Sequence, residues 1–366
     1  NQLRGSASFY FSNNDSLRGE TRPEQRLVPT NVTLAEYIKR PLDKIPDYQP
    51  VGEVGGPILK DKLWFYGGYA PVRTSTTRTV TFTRAPADGS SRTQTFVQDN
   101  PVNRATVSLS GQLGSKTRFK VNYAPQWGGQ RRSLPAIEPD GSSTADPNID
   151  RLTTGNNNWN DAYSGTFDFV ATNALYFSLM GGYFMYDQES LGNGTAIVHS
   201  FGTNNSMFPQ IPASLIQPSG YVDGKSSAKQ VRDKYTRLYV NAATTWFKEA
   251  KGQHAFKVGV RFERLGNDVL SGQIEPTITL NWDAPYNRND TGASVRGTYG
   301  HYVVSKSVVL IGDDLKSNNW SLFAQDSWTI NSKLTINAGV RAESEKVPFY
   351  SAGADQGLNF GFADKI

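Results

Sequence analysis

Along most of this chain apolar residues occupy every second position, and the runs that do so are joined alternately by very short and very long polar connections. Nothing else in the sequence constrains the fold as much, because strict alternation marks strands with one apolar and one polar face. Ala105, Val107, Leu109, Gly111 and Leu113 alternate with Thr106, Ser108, Ser110 and Gln112. A Gly114-Ser115 turn then leads into Phe119, Val121 and Tyr123, interleaved with Arg118, Lys120 and Asn122. Tyr163, Gly165, Phe167 and Phe169 pass through a short connection into Leu175, Phe177 and Leu179. Leu238, Val240, Ala242, Thr244 and Trp246 turn through residues 248–253 and return as Phe256, Val258, Val260 and Phe262, set against Lys257, Gly259, Arg261 and Glu263. The last hairpin joins residues 321–330 to Leu334, Ile336, Ala338 and Val340, which alternate with Thr335, Asn337, Gly339, Arg341 and Glu343.

Three long stretches rich in Asn, Asp, Ser, Gly and Pro separate these hairpins, at 126–159, 188–231 and 265–319. The first third reads as a strand at 3–11, a long loop at 12–50, a strand at 51–58, a turn at 59–62 and a long strand at 63–84. A loop at 85–91 and a return strand ending at Leu113 bring the total to about eleven strands. With the first strand taken as upward, every short turn falls on one side and every long loop on the other. Structureless loops of such length do not suit a compact soluble domain, but short periplasmic turns facing long extracellular loops are the asymmetry of an outer-membrane barrel. No apolar run approaches the ~20 residues of a spanning helix, so a membrane protein of this composition has to be a barrel. The 12% aromatic content and the mean hydropathy of −0.50 agree with apolar residues spread thinly over one face of many strands, and the absence of cysteine excludes a disulfide framework or thiolate metal site. The expected fold is therefore all-β, an antiparallel transmembrane β-barrel.

Alternation also assigns faces. Val107, Leu109, Val121, Val240, Val258, Val260, Ile336 and Val340 should point to lipid. Arg104, Arg118, Lys120, Arg237, Lys257, Arg261, Glu263, Arg341 and Glu343 then become lumen-facing candidates, a mixed-charge wall suited either to holding a plug or to lining a pore. Trp64, Phe65, Phe169, Tyr176, Phe177, Trp246, Phe256 and Trp328 all lie near short turns, where a periplasmic aromatic girdle would sit. Alternation puts Ala324, Asp326 and Trp328 on one face without deciding which.

The sequence offers no reaction chemistry. His199, His254 and His301 are scattered, with His254 expected as a solvated turn residue, and no nucleophile-elbow, H-E-x-x-H or Walker-type spacing occurs. Residues 140–150 are rich in Asp, but their spacing misses the calcium-loop pattern and suits a solvated loop. Trp127, Trp159, Trp282 and Tyr286, with the amides of residues 156–160, are candidates for stacking on a sugar or peptide in the extracellular loops, or for packing those loops. A net charge of +5 spread along the chain argues against nucleic acid. No cofactor, metal site or enzymatic activity is expected.

Two stretches carry a family resemblance. Gly55-Gly56-Pro57-Ile58-Leu59-Lys60-Asp61-Lys62-Leu63-Trp64-Phe65-Tyr66-Gly67 resembles the GGPI-x-KDKL-FF signature near the start of the barrel in Oar-like TonB-dependent receptors. Phe323-Ala324-Gln325-Asp326-Ser327-Trp328, followed by Leu334 to Glu343, is similar to the Y-x-QD-x-W … LTLN-x-G-x-R-x-E hairpin of TonB-dependent barrels. Leu3 to Phe11 also looks like the first barrel strand after a plug. The resemblance implies residence in the outer membrane of a Gram-negative bacterium and uptake of an unidentified solute. It also implies a plug domain and TonB box before this segment, partnership with the TonB complex, and further strands after Ile366. Such transporters have about 22 strands, so residues 1–366 are expected to be a partial barrel. A passive porin or structural barrel is the alternative.

Overall fold

The computed structural model describes the chain except residues 1, 15–22, 29–30, 40, 87, 193–196, 203–220, 223–228, 274–276, 289, 296, 306–309, 353–357 and 366. Every regular element among the described residues is a strand. The first half holds β1 (Arg4–Asn13), β2 (Glu24–Val28), β3 (Asn31–Ile38), β4 (Pro46–Leu59), β5 (Leu63–Tyr69), β6 (Val72–Phe82), β7 (Thr93–Leu113), β8 (Thr117–Tyr123), β9 (Gln126–Arg131), β10 (Ser142–Ser143) and β11 (Gly155–Thr172). The second half holds β12 (Leu175–Leu191), β13 (Val198–Phe201), β14 (Lys229–Glu249), β15 (Gln253–Gln273), β16 (Thr277–Trp282), β17 (Tyr286–Asn287), β18 (Ser294–Val295), β19 (Gly300–Ser305), β20 (Leu310–Asn331), β21 (Leu334–Ala352) and β22 (Leu358–Lys365).

One large sheet dominates, an antiparallel meander in which each long strand pairs with the next. Two of its staves are interrupted. β7 meets Tyr69 of β5 at Ala105 and Val72 of β6 at Val102, so one register runs through both strands. It likewise meets Tyr123 of β8 at Val107 and Gln126 of β9 at Arg104. The breaks fall at Ala70-Pro71 and Ala124-Pro125, where proline has no N–H to give the ladder. With each interrupted pair counted as one stave, β1 to β21 supply the eleven strands read from the sequence, and β22 adds a further one. Among the described residues β1 pairs only with β4 and β22 only with β21, so the sheet is open at both edges.

The turns β4–β5, β7–β8, β11–β12, β14–β15 and β20–β21 are two or three residues long and lie at one end of the staves. Gly114 and Gly252 hold positive φ there (68° and 119°), a backbone open to glycine. The longer connections all lie at the other end. Here the structure departs from the sequence reading in extent. β12 continues to Leu191, β15 to Gln273 and β11 begins at Gly155, well inside stretches read as loop. Strands of 21 or 22 residues such as β14, β15 and β20 are about twice what a bilayer needs. Above the membrane both faces of a strand meet water, so the ladder continues while the apolar alternation stops.

Registration settles the two faces. Leu109, Val121, Gly165, Gly181, Val240, Phe262 and Trp320 are successive partners across the sheet, and Val258, Ala324 and Val340 form a second such row. Lys257, Arg261 and Arg341 lie on the opposite face, paired with Gln325, Ser321 and Phe323. Asp326 and Trp328, unassigned from sequence, belong to the apolar face, since Asp326 opposes Phe256 and Trp328 opposes Ile336. Val340 stays 75% exposed and Leu322 59%, whereas the buried apolar side chains among the described residues are Val80, Phe82, Val198, Phe201 and Leu315. Among the described residues the membrane-crossing part of the sheet has no apolar core of its own, because its apolar face has lipid for a solvent.

Aromatic rings mark two levels on that face. Phe65, Phe169, Phe177, Trp246, Phe256 and Trp328 gather near the short turns, whereas Trp64 and Tyr176 point to the polar side, opposite Ser110 and Thr245. A second row holds Tyr69, Trp127, Trp159, Tyr163, Tyr183, Phe262 and Trp320, with Tyr69, Trp127 and Trp159 stacked in sequence and the pairs Tyr163–Tyr183 and Phe262–Trp320 in tilted contact. From Trp328 to Trp320 the strand rises about 26 Å at ~3.3 Å per residue. A tilt near ~40° reduces this to roughly 20 Å of height, close to the ~25 Å apolar band of such barrels. Arginine in place of Val258 or Val340 is expected to destabilise the barrel by about 2–4 kcal/mol, and arginine in place of Gln325 on the other face by far less. Equilibrium unfolding in urea from lipid vesicles measures the difference, and equal costs on both faces would contradict the assignment.

Candidate functional site

The polar face carries one concentrated charged strip. Arg237 and Arg261 both donate to Glu263, Arg261 through Nη2 at 3.2 Å, and Arg341 donates to Glu343. β14, β15, β20 and β21 bring these residues together because their register places Arg261 opposite Ser321 and Ser321 opposite Glu343. Arg261, Glu263, Arg341 and Glu343 border a cavity of about 170 Å³ with Asn319 and Glu345. Ser321 Oγ is buried there with no partner among the described atoms. The other charged candidates share the face but not the cluster. Arg104 Nε donates to Gln126 at 3.1 Å, Arg118 opposes Gln112 and Asp168, Lys120 opposes Ser110 and Thr166, and Lys257 Nζ lies 6.0 Å from the centre of the Phe323 ring. A further group escaped the sequence reading. Glu53 accepts from Ser6 at 2.9 Å and from Tyr66 at 2.7 Å, tying β1, β4 and β5 on the polar side. The alternation of residues 51–58 already points Glu53 that way.

The structure differs from the sequence expectation at two places. Trp127 and Trp159 are not loop residues but opposed members of β9 and β11, their rings 5.9 Å apart on the apolar face. They stack because the ladder fixes their Cβ atoms side by side. His254 is not a solvated turn residue. It is the second residue of β15 and only 15% exposed, its Nδ1 is 2.7 Å from Asp326 Oδ2, its Nε2 is 3.1 Å from the Ala250 carbonyl, and its ring lies nearly parallel to those of Phe256 and Trp328.

Above the membrane the loops fold together. β10 lies parallel to β6, and β13, from the β12–β14 connection, pairs in parallel with β16, from the β15–β20 connection. Arg151 is buried between Phe82 and Phe96 and donates to the carbonyls of Asp146 and Ile149. Burial lowers its pKa, and the two ring faces and two carbonyls offset part of the lost hydration. Asp146 caps the N–H of Asn148 and accepts from Val222 N, while Asp150 accepts from Leu152 N and Thr153. The aspartates of 140–150 are thus used in turns. Among the described residues no group of three or more His, Asp or Glu is placed to hold a metal ion. Trp282 borders a cavity of about 330 Å³ with Leu280, Asn281, Tyr299, His301 and Tyr302. Tyr286 borders its neighbour, 5.4 Å from the His301 ring.

An open antiparallel sheet with an apolar outer face, two aromatic rows, short turns at one end and a folded loop layer at the other is one particular architecture. Residues 90–365 match the family described as outer membrane beta barrel domain. The chain belongs to that family. It is also 25% identical to the TonB-dependent transporter Oar of Myxococcus xanthus, over 84% of this chain and 34% of that protein. It therefore spans about a third of the length of this curated relative. Among solved structures, the outer membrane transporter YddB of Escherichia coli superposes with a TM-score of 0.55 at 10% identity, covering all of this chain and 41% of YddB, a likeness of fold. The barrel chain thus resides in the outer membrane of a Gram-negative bacterium, and its resemblance to Oar-like TonB-dependent receptors stands.

Two consequences follow for this outer-membrane barrel. A double-mutant cycle on Arg237→Ala and Glu263→Ala should give a coupling of about 0.2–1 kcal/mol, since the arginine is half exposed, and it should shrink with added salt. Zero coupling at low salt would show that the pair contributes nothing. In the loop layer Asp140 is held at about 2, first by hydrogen bonds from the Ser142 hydroxyl and backbone N–H and then by Arg26, whose Nη2 is 3.2 Å away. A depressed carboxylate stabilises above its ordinary pKa of ~3.9 and loses that effect as pH falls towards the folded value. The β2–β3 hairpin carrying Arg26 should therefore keep its amide protection above about pH 4 and lose part of it as pH falls towards 2. Hydrogen exchange across that range checks this, and in Asp140→Asn the part of the pH dependence that Asp140 supplies should disappear, leaving the Arg26–Glu36 pair.

Proposed function

We propose that this chain forms the wall of a TonB-dependent outer-membrane transporter that takes a scarce or bulky solute into the periplasm. The relationship to Oar supports TonB dependence, and the charged strip on the polar face is the observation that carries the role of a wall. Arg104, Arg118, Lys120, Arg237, Lys257, Arg261, Glu263, Arg341 and Glu343 face the lumen in this reading. Paired arginines and glutamates with hydrogen-bonding capacity to spare can seat a plug, and they perform no bond-making or bond-breaking. The protein is accordingly a transporter and not an enzyme, needs no cofactor, and does not bind nucleic acid. Open sheet edges are not tolerated in lipid, so β1 and β22 find partners in further strands of a longer polypeptide that also supplies the plug and the TonB box. The loop layer meets the solute first, and the TonB complex acts on the plug from below.

A passive porin would make the opposite demand, since its lumen conducts without a plug or an energy source. Expressing the full-length gene with and without a functional TonB system separates the two. Solute uptake should vanish without TonB, and single-channel conductance should appear only when the plug is deleted. Steady conductance from the intact protein with TonB-independent uptake would make the porin reading correct.

A further inference from the structure

A second cavity on the polar face, of about 220 Å³, lies at the loop end of β7, β9 and β11. Its walls are Asn100, Gln126, Gln130, Asn156 and Asn158, with Val102 and the backbone of Gly128 and Gly129. No ammonium, guanidinium or carboxylate belongs to this lining, and the Arg104 guanidinium at its edge donates to Gln126 Oε1 at 3.1 Å. The glycines are required by closeness, since a Cβ on Gly128 would sit 2.0 Å from the Pro101 carbonyl oxygen and one on Gly129 2.0 Å from that of Asn156. A second observation singles the place out. Asn158 Oδ1 is buried with no partner among the described atoms, and so is Asn160 Oδ1 at the next position on the same face. Buried amide oxygens are nearly always bonded, and one left unpaired is costly. The Asn158 oxygen, which belongs to the lining, points to a group that arrives from outside the chain with donors of its own.

We infer that this amide-lined cavity is a binding site for a neutral, hydroxyl-rich solute, a saccharide, on its way past the wall. A carboxamide offers a carbonyl acceptor and two N–H donors from one planar group, and a sugar hydroxyl both donates and accepts, so a row of amides can answer a row of hydroxyls. An anionic metal chelate would need cations in the lining. A peptide would need pockets for its side chains or charges for its ends, and the cavity has one valine and no ions. The site deepens the transport reading and rests on it for its place on the solute's path, yet binding can be measured without TonB.

The experiment uses the full-length receptor in detergent, titrated calorimetrically with maltohexaose, cellohexaose, xylohexaose and laminarihexaose, and in parallel with a ferric catecholate and a neutral serine-glycine peptide. At least one hexaose should bind saturably. Asn158→Leu should weaken it about tenfold, the equivalent of roughly 1.4 kcal/mol, and Gln126→Leu should do the same. Because the Asn158 oxygen has no partner to lose, its leucine variant should keep the wild-type melting temperature, and Tyr37→Ala in the exposed β2–β3 hairpin should bind as wild type does. The proposal is overturned if no hexaose binds, if binding is unchanged in Asn158→Leu, or if the catecholate or peptide is the ligand that Asn158→Leu releases. TonB-independent uptake of a hexaose that still needs Asn158 would overturn the transport reading and leave the site.

Discussion

Lipid offers no hydrogen-bond partner, so every amide and carbonyl carried across the bilayer has to be bonded to a neighbouring strand. The long, nearly unbroken ladders of β11, β12, β14, β15 and β20 answer that constraint. The same requirement fixes side-chain chemistry, because a continuous ladder makes alternation strict and sorts the residues onto two faces. Even the interruptions respect it. Proline enters at Pro71 and Pro125, on the two staves that flank Arg104, and the neighbouring backbone stays bonded, with Ala70 N donating to the Arg104 carbonyl and Ala105 N to that of Pro125. A tolerated break is thus one whose loose groups find partners within the same three staves.

Carboxylates on the apolar face show how strongly the bilayer selects. Asp161 accepts from the Tyr123 hydroxyl and from Trp159 Nε1, each at 2.8 Å, and lies in the upper aromatic row. Asp326 lies in the lower row against the His254 ring. Both positions are at the height where headgroups and water begin, and both carboxylates are approached by a polar atom of a ring whose apolar body can rest against acyl chains. A girdle built this way is more than a belt of greasy anchors. It is where the barrel places charge on its outer surface without burying it in hydrocarbon. The Gln-Asp-x-Trp element at residues 325–328 acquires a physical meaning from this: its aspartate and tryptophan both point outward and meet the same histidine ring.

What the sequence made legible follows from the same solvent. The strand count, the asymmetry of connections and the identity of the two faces were all readable, because lipid on one side and water on the other imprint a period of two on every membrane-crossing segment. Beyond the membrane that imprint ends. Residues 155–160 and 126–131 looked like loop since Asn, Gly and Gln dominate both, yet they are paired strands. Composition therefore places Trp127 and Trp159 in loops, and the ladder places them in strands. The charged cluster was readable as a set of lumen candidates but not as a cluster, since the assembly of Arg237, Arg261, Glu263, Arg341 and Glu343 depends on inter-strand register, which a single strand's pattern does not encode. His254 failed differently. Its position one residue beyond a tight turn suggested solvent, and only the stagger of β15 against β20 puts Asp326 and Trp328 beside it.

The molecule is therefore stabilised by two different solvents at its two ends. Below, the staves depend on pairing and on lipid, and they hold almost no buried apolar side chain. Above, where the staves rise beyond the membrane, the loop layer resembles a small soluble protein, with Val80, Phe82 and Arg151 enclosed under the 132–154 connection and Val198 and Phe201 enclosed beside β16. Burial there is driven by water and makes the layer's packing independent of the bilayer. The amide-lined cavity lies at the junction of these two regimes, on paired strands and on the face turned away from hydrocarbon. A site that presents an unsatisfied acceptor to a passing solute fits the polar face, since the opposite face at that height is given to the aromatic row.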